Sequence, residues 1–316
     1  MGRIRGTFLL VLFLSLQFLQ ISIAGETGVT GGLTLLEPSG ARPAALGEAF
    51  SAASNDITAF SYNPASLRSL RSHQISMLFH RGFEDEFYSQ VAAGYQTKKV
   101  NFGISLGYFD GGDFLLSDGI KAETVSIQRD IVGSLGVALG RETFSIGAAA
   151  KFLNSNLIQK ETASAMMVDL GIFGRLSSRL NFGAAIQNLG TPLKYVNREE
   201  DLPTLMRAGL SFDLMKKITN TTLFVDAPYH LNEKEILPAV GLESTFHALA
   251  LRVGTKKKSD GQELTVGMGI HMTPATIDYS FAMLGDFDMR HRVSLMFKFG
   301  TNRNNNSRQK GLGDEN

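Results

Sequence analysis

The sequence contains no cysteine and no tryptophan, and its charges are almost balanced. The absence of cysteine excludes disulfide frameworks, cysteine zinc sites, iron–sulfur clusters and thiol nucleophiles, as well as the lipid anchor that a lipoprotein carries on cysteine. With 31 Lys and Arg against 30 Asp and Glu, the chain lacks the basic surplus of nucleic-acid-binding proteins, so we expect no nucleic-acid partner. Only 8 of the 316 residues are proline whereas 33 are glycine, which places the glycine in ordered structure rather than in a disordered linker.

The first 24 residues have the elements of a secretory signal peptide. Arg3 and Arg5 precede a short apolar run, and the segment closes on Ser22 and Ala24, small residues at the two positions that a signal peptidase reads. The apolar run is shorter than the roughly 20 residues that a transmembrane helix needs. We therefore expect cleavage of residues 1–24 and export of the mature chain from the cytoplasm.

From about residue 73 onward, apolar residues alternate with glycine, alanine, serine and charged residues. In one such run Phe144, Ile146 and Ala148 alternate with Ser145 and Gly147. A period of two is the pattern of β-strands with one apolar face. Fourteen strands are predicted, over 73–80, 86–97, 99–109, 121–140, 142–154, 163–176, 179–189, 204–214, 218–227, 236–246, 248–257, 262–272, 275–284 and 289–299.

Two architectures produce this alternation. A soluble antiparallel sheet directs its polar face to water, whereas an outer-membrane barrel directs its apolar face to lipid and its polar face to the lumen. Glycine on the polar face favours the barrel, because glycine weakens a strand unless another backbone approaches closely. The predicted connections also alternate between long and short, as they do in bacterial outer-membrane barrels. Because lipid tolerates no unpaired backbone group, the sheet must close.

We therefore predict an all-β fold, in which a closed antiparallel transmembrane barrel of about fourteen strands spans residues 73–300. Short turns connect the strands on one side and longer loops connect them on the other, which places both ends of the barrel in the periplasm and the longer loops outside the cell. The tail 301–316 is polar, and we expect it to be a disordered periplasmic segment.

Residues 25–72 do not follow the strand pattern. They contain a helix-compatible stretch of small residues and then an Asn-Pro-Ala element. The frame consists of Gly40, Arg42, Gly47, Phe50, Asn63, Pro64 and Ala65. It resembles the amino-terminal signature of the PorV/PorQ family of outer-membrane proteins, relatives of the FadL-type transporters of long-chain fatty acids. The resemblance implies that 25–72 is a hatch plugging the periplasmic side of a fourteen-stranded barrel. The residues agree, since Pro64 stops a helix and biases Asn63 towards extended geometry.

The resemblance continues along the chain. Three later segments are similar to the corresponding elements of the same family: Asn188–Gly190, Leu202–Pro203 and the closing segment 291–300. The likeness therefore extends over essentially the whole mature chain. Two positions depart from the family pattern. Ser66 stands where the family has glycine after Asn-Pro-Ala, and Glu48 stands where a second glycine is common.

No catalytic, cofactor-binding or metal-binding motif is recognisable, so we expect no enzyme and no cofactor. The charged residues on the inward face of the strands are the candidates for a role, because an unpaired charge in a narrow lumen costs several kcal/mol of free energy. They either hold the hatch to the wall as a structural network or line the path of a solute. The candidates are Lys151, Asp169, Arg175, Arg207, Asp213, Asp226, Glu243, Arg252, Asp278, Arg292 and Lys298.

Several functions remain open for a monomeric outer-membrane barrel of a Gram-negative-type bacterium. The hatch frame favours a PorV/PorQ-like component of protein secretion, which would receive cargo or couple to type IX machinery. A FadL-like channel would instead pass hydrophobic solutes such as long-chain fatty acids through a lumen opened by hatch movement. A structural protein without transport is the third reading. Expected partners are outer-membrane lipid and lipopolysaccharide, the outer-membrane assembly machinery, and either secretion-system proteins with secreted cargo or a hydrophobic small molecule.

Overall fold

The computed structural model describes residues 30–82, 86–117, 122–141, 143–158, 161–196, 198–215, 219–258, 261–284 and 288–300. The predicted signal peptide and tail lie outside the described residues. The described chain forms a closed antiparallel barrel of fourteen strands around a small N-terminal hatch, which confirms the predicted fold class. The strands are β1 (His73–Arg81), β2 (Phe87–Tyr95), β3 (Val100–Asp110), β4 (Gln128–Arg141), β5 (Phe144–Leu157), β6 (Glu161–Arg175), β7 (Leu180–Gly190), β8 (Leu205–Met215), β9 (Asn220–Asp226), β10 (Ala239–Phe246), β11 (Leu249–Lys258), β12 (Gly261–Met272), β13 (Ala275–Leu284) and β14 (Asp288–Phe299).

The barrel closes between its first and last strands. Each strand pairs with its neighbours in chain order, and β1 pairs with β14 from His73 opposite Phe299 to Arg81 opposite His291. Closure leaves no sheet edge, so the ladder hydrogen bonds satisfy the backbone of the wall, as the interior of a bilayer demands.

The two faces of the wall differ as the sequence period predicts. In β3 the outward side chains of Phe102, Ile104 and Leu106 are 49, 52 and 59% exposed, whereas the inward Asn101 and Ser105 are buried. The same alternation recurs around the barrel and produces an outer surface of apolar side chains far larger than the patches that soluble monomers tolerate. Such an apolar surface is stable in contact with the lipid of a membrane.

The connections differ between the two ends of the barrel. The three longest, 111–127, 191–204 and 227–238, lie at one end, and each contains a short two-stranded hairpin. Connections at the other end are two to four residues long. We call these the loop end and the turn end.

The fourth strand departs from the prediction. β4 begins at Gln128, seven residues later than expected, because residues 122–126 pair with 113–117 in a separate hairpin. The Ile127 N–H then donates to the Gly112 carbonyl at 3.0 Å and closes the base of that hairpin. Val125 and Ile127 keep the alternation up to this point, but three consecutive polar residues, 128–130, interrupt it where β4 begins.

Residues 30–72 lie inside the barrel as a compact hatch. The hatch contains one short helix, α1 (Ala41–Ala45), and three single 3₁₀ turns, at Leu33–Leu36, Ile57–Ser61 and Pro64–Ser69. α1 packs on β11–β14, whereas the last 3₁₀ turn packs on β3–β6 on the opposite side. Within the described residues, no helix is long and apolar enough to cross a membrane.

Candidate functional site

Asn63 is the centre of the Asn-Pro-Ala element, and its side chain is fully buried. Its Nδ2 donates to the carbonyls of Ser51 at 3.0 Å and of Ile172, on β6, at 2.8 Å. Its Oδ1 accepts from the Ala65 N–H at 3.0 Å and so caps the 3₁₀ turn that begins at Pro64. Proline, which has no N–H, is tolerated at this first position because an N–H there would have no partner within the turn. The element thus links two parts of the hatch to the wall.

The wall has glycine at two positions behind this element because the hatch touches it there. A Cβ on Gly171 would overlap the Asn63 Oδ1, and a Cβ on Gly147 would overlap the backbone of Ala65. The two glycines lie directly opposite each other on β5 and β6. Close approach of two backbones is a situation in which a strand requires glycine, and this explains Gly147. At Gly171 the Asn63 side chain occupies the space that a Cβ would need.

Arg42 joins the other side of the hatch to the wall. Its Nε and Nη2 donate to the two carboxylate oxygens of Glu243, on β10, at 2.8 and 2.7 Å, and its Nη1 donates to Asp56 at 2.7 Å. Arg252, on β11, donates to the same Glu243 at 2.6 Å and to Asp278, on β13, at 2.7 Å. Two guanidinium groups and three carboxylates therefore form one buried network between α1 and the wall. We call it the hatch network.

Asp56 accepts hydrogen bonds from two residues of the hatch. Besides accepting from Arg42, it accepts from the N–H and the hydroxyl of Thr58 at 2.9 and 2.6 Å, which fixes the start of a 3₁₀ turn. Burial by itself would raise the pKa of Asp56, but Arg42, with Lys298 nearby, holds it below its usual value. Lys298 donates to the Asn55 carbonyl at 3.2 Å. The carboxylate of Asp56 therefore remains ionised inside the barrel.

The other residues of the frame shape the chain around α1. Gly40 directly precedes the helix. Gly47 follows it with a φ of 62°, and a Cβ there would meet the Thr255 backbone at 2.5 Å, so the left-handed turn needs glycine on both counts. The ring of Phe50 stacks on that of Phe224, on β9, at 6.1 Å. Every residue of the predicted frame thus lies in the hatch, and Arg42, Gly47, Phe50, Asn63 and Ala65 contact the wall or would clash with it if altered.

Asp226 binds the hatch from β9. Its Oδ2 accepts from the Phe50 N–H at 3.2 Å, from the Ser51 N–H at 2.9 Å and from the Ser51 hydroxyl at 2.5 Å. One buried carboxylate thus satisfies three donors of the segment that follows α1.

A second inward cluster lies on β5–β8. Lys151 forms an ion pair with Asp169 at 2.5 Å and donates to Asn188 at 3.1 Å. Arg207 donates to Gln187 at 2.8 Å, and its guanidinium lies 5.1 Å from the centre of the Tyr62 ring. Its Nη1 is buried without a hydrogen-bond partner among the described residues.

The remaining sequence candidates do not join these clusters. Arg292 lies 3.8 Å from Glu37 of the hatch, which Arg290 also contacts at 3.3 Å. Burial opposes ionisation of Glu37, but His80 and the two arginines outweigh it and lower the pKa of Glu37 to about 2. Asp213 accepts from Thr222 near the turn end, at 2.9 Å. Arg175 is half-buried at the same end.

Among the described residues, one cavity of the lumen lies on each side of the hatch. The outer cavity, about 330 Å³, is open towards the loop end and is lined by leucines and by ion-paired residues, among them Lys256 and Glu263. The inner cavity, about 550 Å³, lies at the turn end and is lined by Arg42, Asp56 and Lys298. Glu48 pairs with Lys256 across the outer cavity and has a φ of 61°.

Sequence reasoning missed several hatch and wall residues that line or bridge these cavities. Glu37, Glu48 and Asp56 lie in the hatch, where no strand period exists to assign them a direction. Glu263 occupies an inward position of a predicted strand and could have been found with the other charges. No group of three or more acidic or histidine residues suited to a metal ion occurs in the described chain.

Comparisons with known proteins agree with this architecture. The toluene transporter TodX of Pseudomonas putida superimposes with a TM-score of 0.63 at 12% identity, over 82% of this chain and 98% of TodX. A FadL homologue of Pseudomonas aeruginosa gives a TM-score of 0.53 at 9% identity, over 88% of this chain and all of that chain (100%). At such identities the likeness shows the fold alone, which is that of FadL-type outer-membrane barrels.

Comparison of sequences finds fewer relatives than comparison of structures. No curated protein sequence matches the chain, and membership of the PorV/PorQ family is not confirmed. One family model matches residues 21–284, most of the chain, and the protein therefore belongs to the family described as Uncharacterised protein family (UPF0164).

Proposed function

We propose that this barrel is an outer-membrane channel for the uptake of hydrophobic solutes, with the hatch as its gate. The observation that supports the proposal best is a lumen closed by an internal segment that polar contacts hold to the wall. The fold is similar to those of a toluene transporter and a FadL homologue. The proposal involves no enzymatic step and no cofactor.

The outer cavity suits a solute that is apolar over most of its length. Leu33, Leu36 and Leu237 contribute apolar surface, while ion pairs such as Lys258 with Glu263, at 2.8 Å, lie beside them. Pockets that bind apolar ligands combine such surface with a few placed polar groups. A solute with an apolar body and one polar or charged end matches this lining.

The gate that separates the two cavities is α1 with the turns around it. Glu37, Gly47 and Glu48 line the outer cavity, whereas Arg42 and Asp56 line the inner one. Displacement of α1 would therefore join the cavities into one path. The glycine-backed contact of the Asn-Pro-Ala element lies on the opposite wall and would hold the rest of the hatch in place.

A role in protein secretion is the second candidate. It rests on the resemblance of the hatch frame to the PorV/PorQ signature. Transport by the first route requires only the barrel and its hatch, whereas secretion would require protein partners on both sides of the membrane.

Deletion and complementation separate the two candidates. We expect a deletion strain to accumulate a labelled monoaromatic hydrocarbon or long-chain fatty acid more slowly than its parent, and the cloned gene to restore the rate. Quantitative mass spectrometry of surface and medium proteins from the same cultures serves as the control. Unchanged uptake with loss of a cohort of secreted proteins would reject the channel and support secretion.

A further inference from the structure

A groove of about 730 Å³ runs across the outer, lipid-facing wall from β4 to β8. It follows rows of residues that lie directly opposite one another across neighbouring strands, such as Leu139, Ile146 and Ile172. Alanine at 148, 184 and 208 leaves space between the larger side chains. The lining of the groove is almost entirely apolar, as an acyl chain would require.

Two basic residues lie where the groove approaches the turn end. Arg141 is the last residue of β4, two positions beyond Leu139 and therefore on the same outward face. Lys98 lies in the turn before β3, and Arg68 of the hatch donates to the carbonyls of both Lys98 and Gly140, at 3.0 and 2.8 Å, which places Lys98 beside the end of β4. Both side chains are exposed. A lysine and an arginine thus flank the end of the groove.

The charge of the two ends of the barrel is opposite in sign. The connections at the turn end contain five Lys and Arg and one acidic residue, whereas those at the loop end contain thirteen acidic residues and five Lys and Arg. An anionic group is therefore favoured at the turn end and disfavoured at the loop end. The turn end is the one that we place in the periplasm, where it meets the phospholipid leaflet.

We propose that the groove binds one anionic phospholipid of the periplasmic leaflet. Its acyl chain lies along the groove, and its phosphate lies between Lys98 and Arg141. Arginine offers paired donors that match a phosphate group, and lysine adds a second positive charge. Basic side chains at the edge of an apolar membrane surface attract anionic head groups. This site is on the outer wall, so it goes beyond the proposed passage through the lumen.

The test counts lipid on the intact, purified barrel. The delipidated protein is titrated with phosphatidylglycerol or with phosphatidylcholine of the same acyl chains, and bound lipid is counted by native mass spectrometry. We expect one tightly bound phosphatidylglycerol per barrel. The double variant Lys98→Gln/Arg141→Gln should bind it at least about tenfold more weakly. Arg129→Gln, which removes an outward charge at the other end of β4, should bind normally.

A second pair of variants tests the groove itself. Ala148→Phe fills the groove and should displace the lipid, whereas Ala150→Phe, on the same face of β5 but outside the groove, should not. Heat-modifiable migration on a gel verifies that each variant has folded. Equal binding of phosphatidylcholine and phosphatidylglycerol, or undiminished binding by the double variant, would overturn the proposal.

Discussion

Replacement of Glu243 by glutamine tests the hatch network most sharply. In the native protein Glu243 accepts from Arg42 of the hatch and from Arg252 of the wall, at 2.6 to 2.8 Å. Glutamine has nearly the same shape but no charge. The two guanidinium groups would then face each other across a neutral amide. Arg42 would retain its bond to Asp56, and Arg252 its bond to Asp278.

The expected loss of stability follows from burial. Breaking a buried ion pair by removing one partner costs about 3–5 kcal/mol, because the other charge stays buried without compensation. Since Arg42 and Arg252 each keep one carboxylate, we expect the lower end, about 3 kcal/mol. At about 1.4 kcal/mol for each factor of ten, local opening of α1 becomes about 100-fold more frequent.

Hydrogen exchange of the backbone amides measures this opening directly. Amides of 41–56 should exchange about 100-fold faster in Glu243→Gln, while those of β1–β3 stay unchanged. Asp110→Asn is the control, because it removes a carboxylate from an exposed pair with Arg129, and such pairs contribute only about 0–1 kcal/mol. Exchange of the hatch amides within threefold of the native rate would refute the reasoning about the network.

Three further predictions concern the hatch. Gly171→Val should displace the Asn-Pro-Ala element from the wall, because its side chain overlaps that of Asn63, and the amides of the element should exchange faster. Gly133→Ala is the control, since a Cβ there meets nothing within 4 Å, and it should leave the exchange of these amides unchanged. The pKa of Glu37 is lowered from 4.5 to about 2, so its contribution to stability is complete above pH 4.5 and is lost as the pH falls towards 2. The protection factors of the hatch amides, which correct for the intrinsic pH dependence of exchange, should fall over that window, and less so in Glu37→Gln. The Gly31 N–H donates to the Asp201 carbonyl in a loop-end connection at 2.9 Å, so an epitope tag inserted before residue 30 should be accessible to antibody on intact cells, whereas a tag after residue 300 should not.

The barrel is predictable from sequence because lipid and lumen impose a strict alternation. Each residue of a strand faces one or the other, so Phe102 and Ile104 identify the outer face and Asn101 the inner face without further knowledge. The strand number follows from the count of alternating segments, and closure from the demand that the backbone be fully paired. The hairpin at 113–126 was missed, because a strand that pairs locally can alternate like a wall strand and the polar residues 128–130 that interrupt the pattern were included in one long strand.

Four of the five residues of the hatch network were predicted, with Arg42 named as part of the hatch frame. Glu243, Arg252 and Asp278 were found because a strand period assigns them to the lumen. Asp56 was missed as their partner, since an irregular segment has no period and its side-chain directions depend on tertiary contacts. The inward face also does not reveal which charges meet. Arg207 and Asp213 lie on the same strand, yet Arg207 contacts Tyr62 of the hatch whereas Asp213 accepts from Thr222 of the neighbouring strand.

A reversible lock on the hatch tests the proposed channel most directly. The protein has no cysteine, so Ser51→Cys/Asp226→Cys places a single pair where the two native side chains touch, at 2.5 Å. The oxidised barrel in liposomes should pass no labelled monoaromatic hydrocarbon or fatty acid, and reductant should restore the flux to the level of the same variant kept reduced throughout. Equal flux through the oxidised and the reduced barrel would contradict passage gated by the hatch.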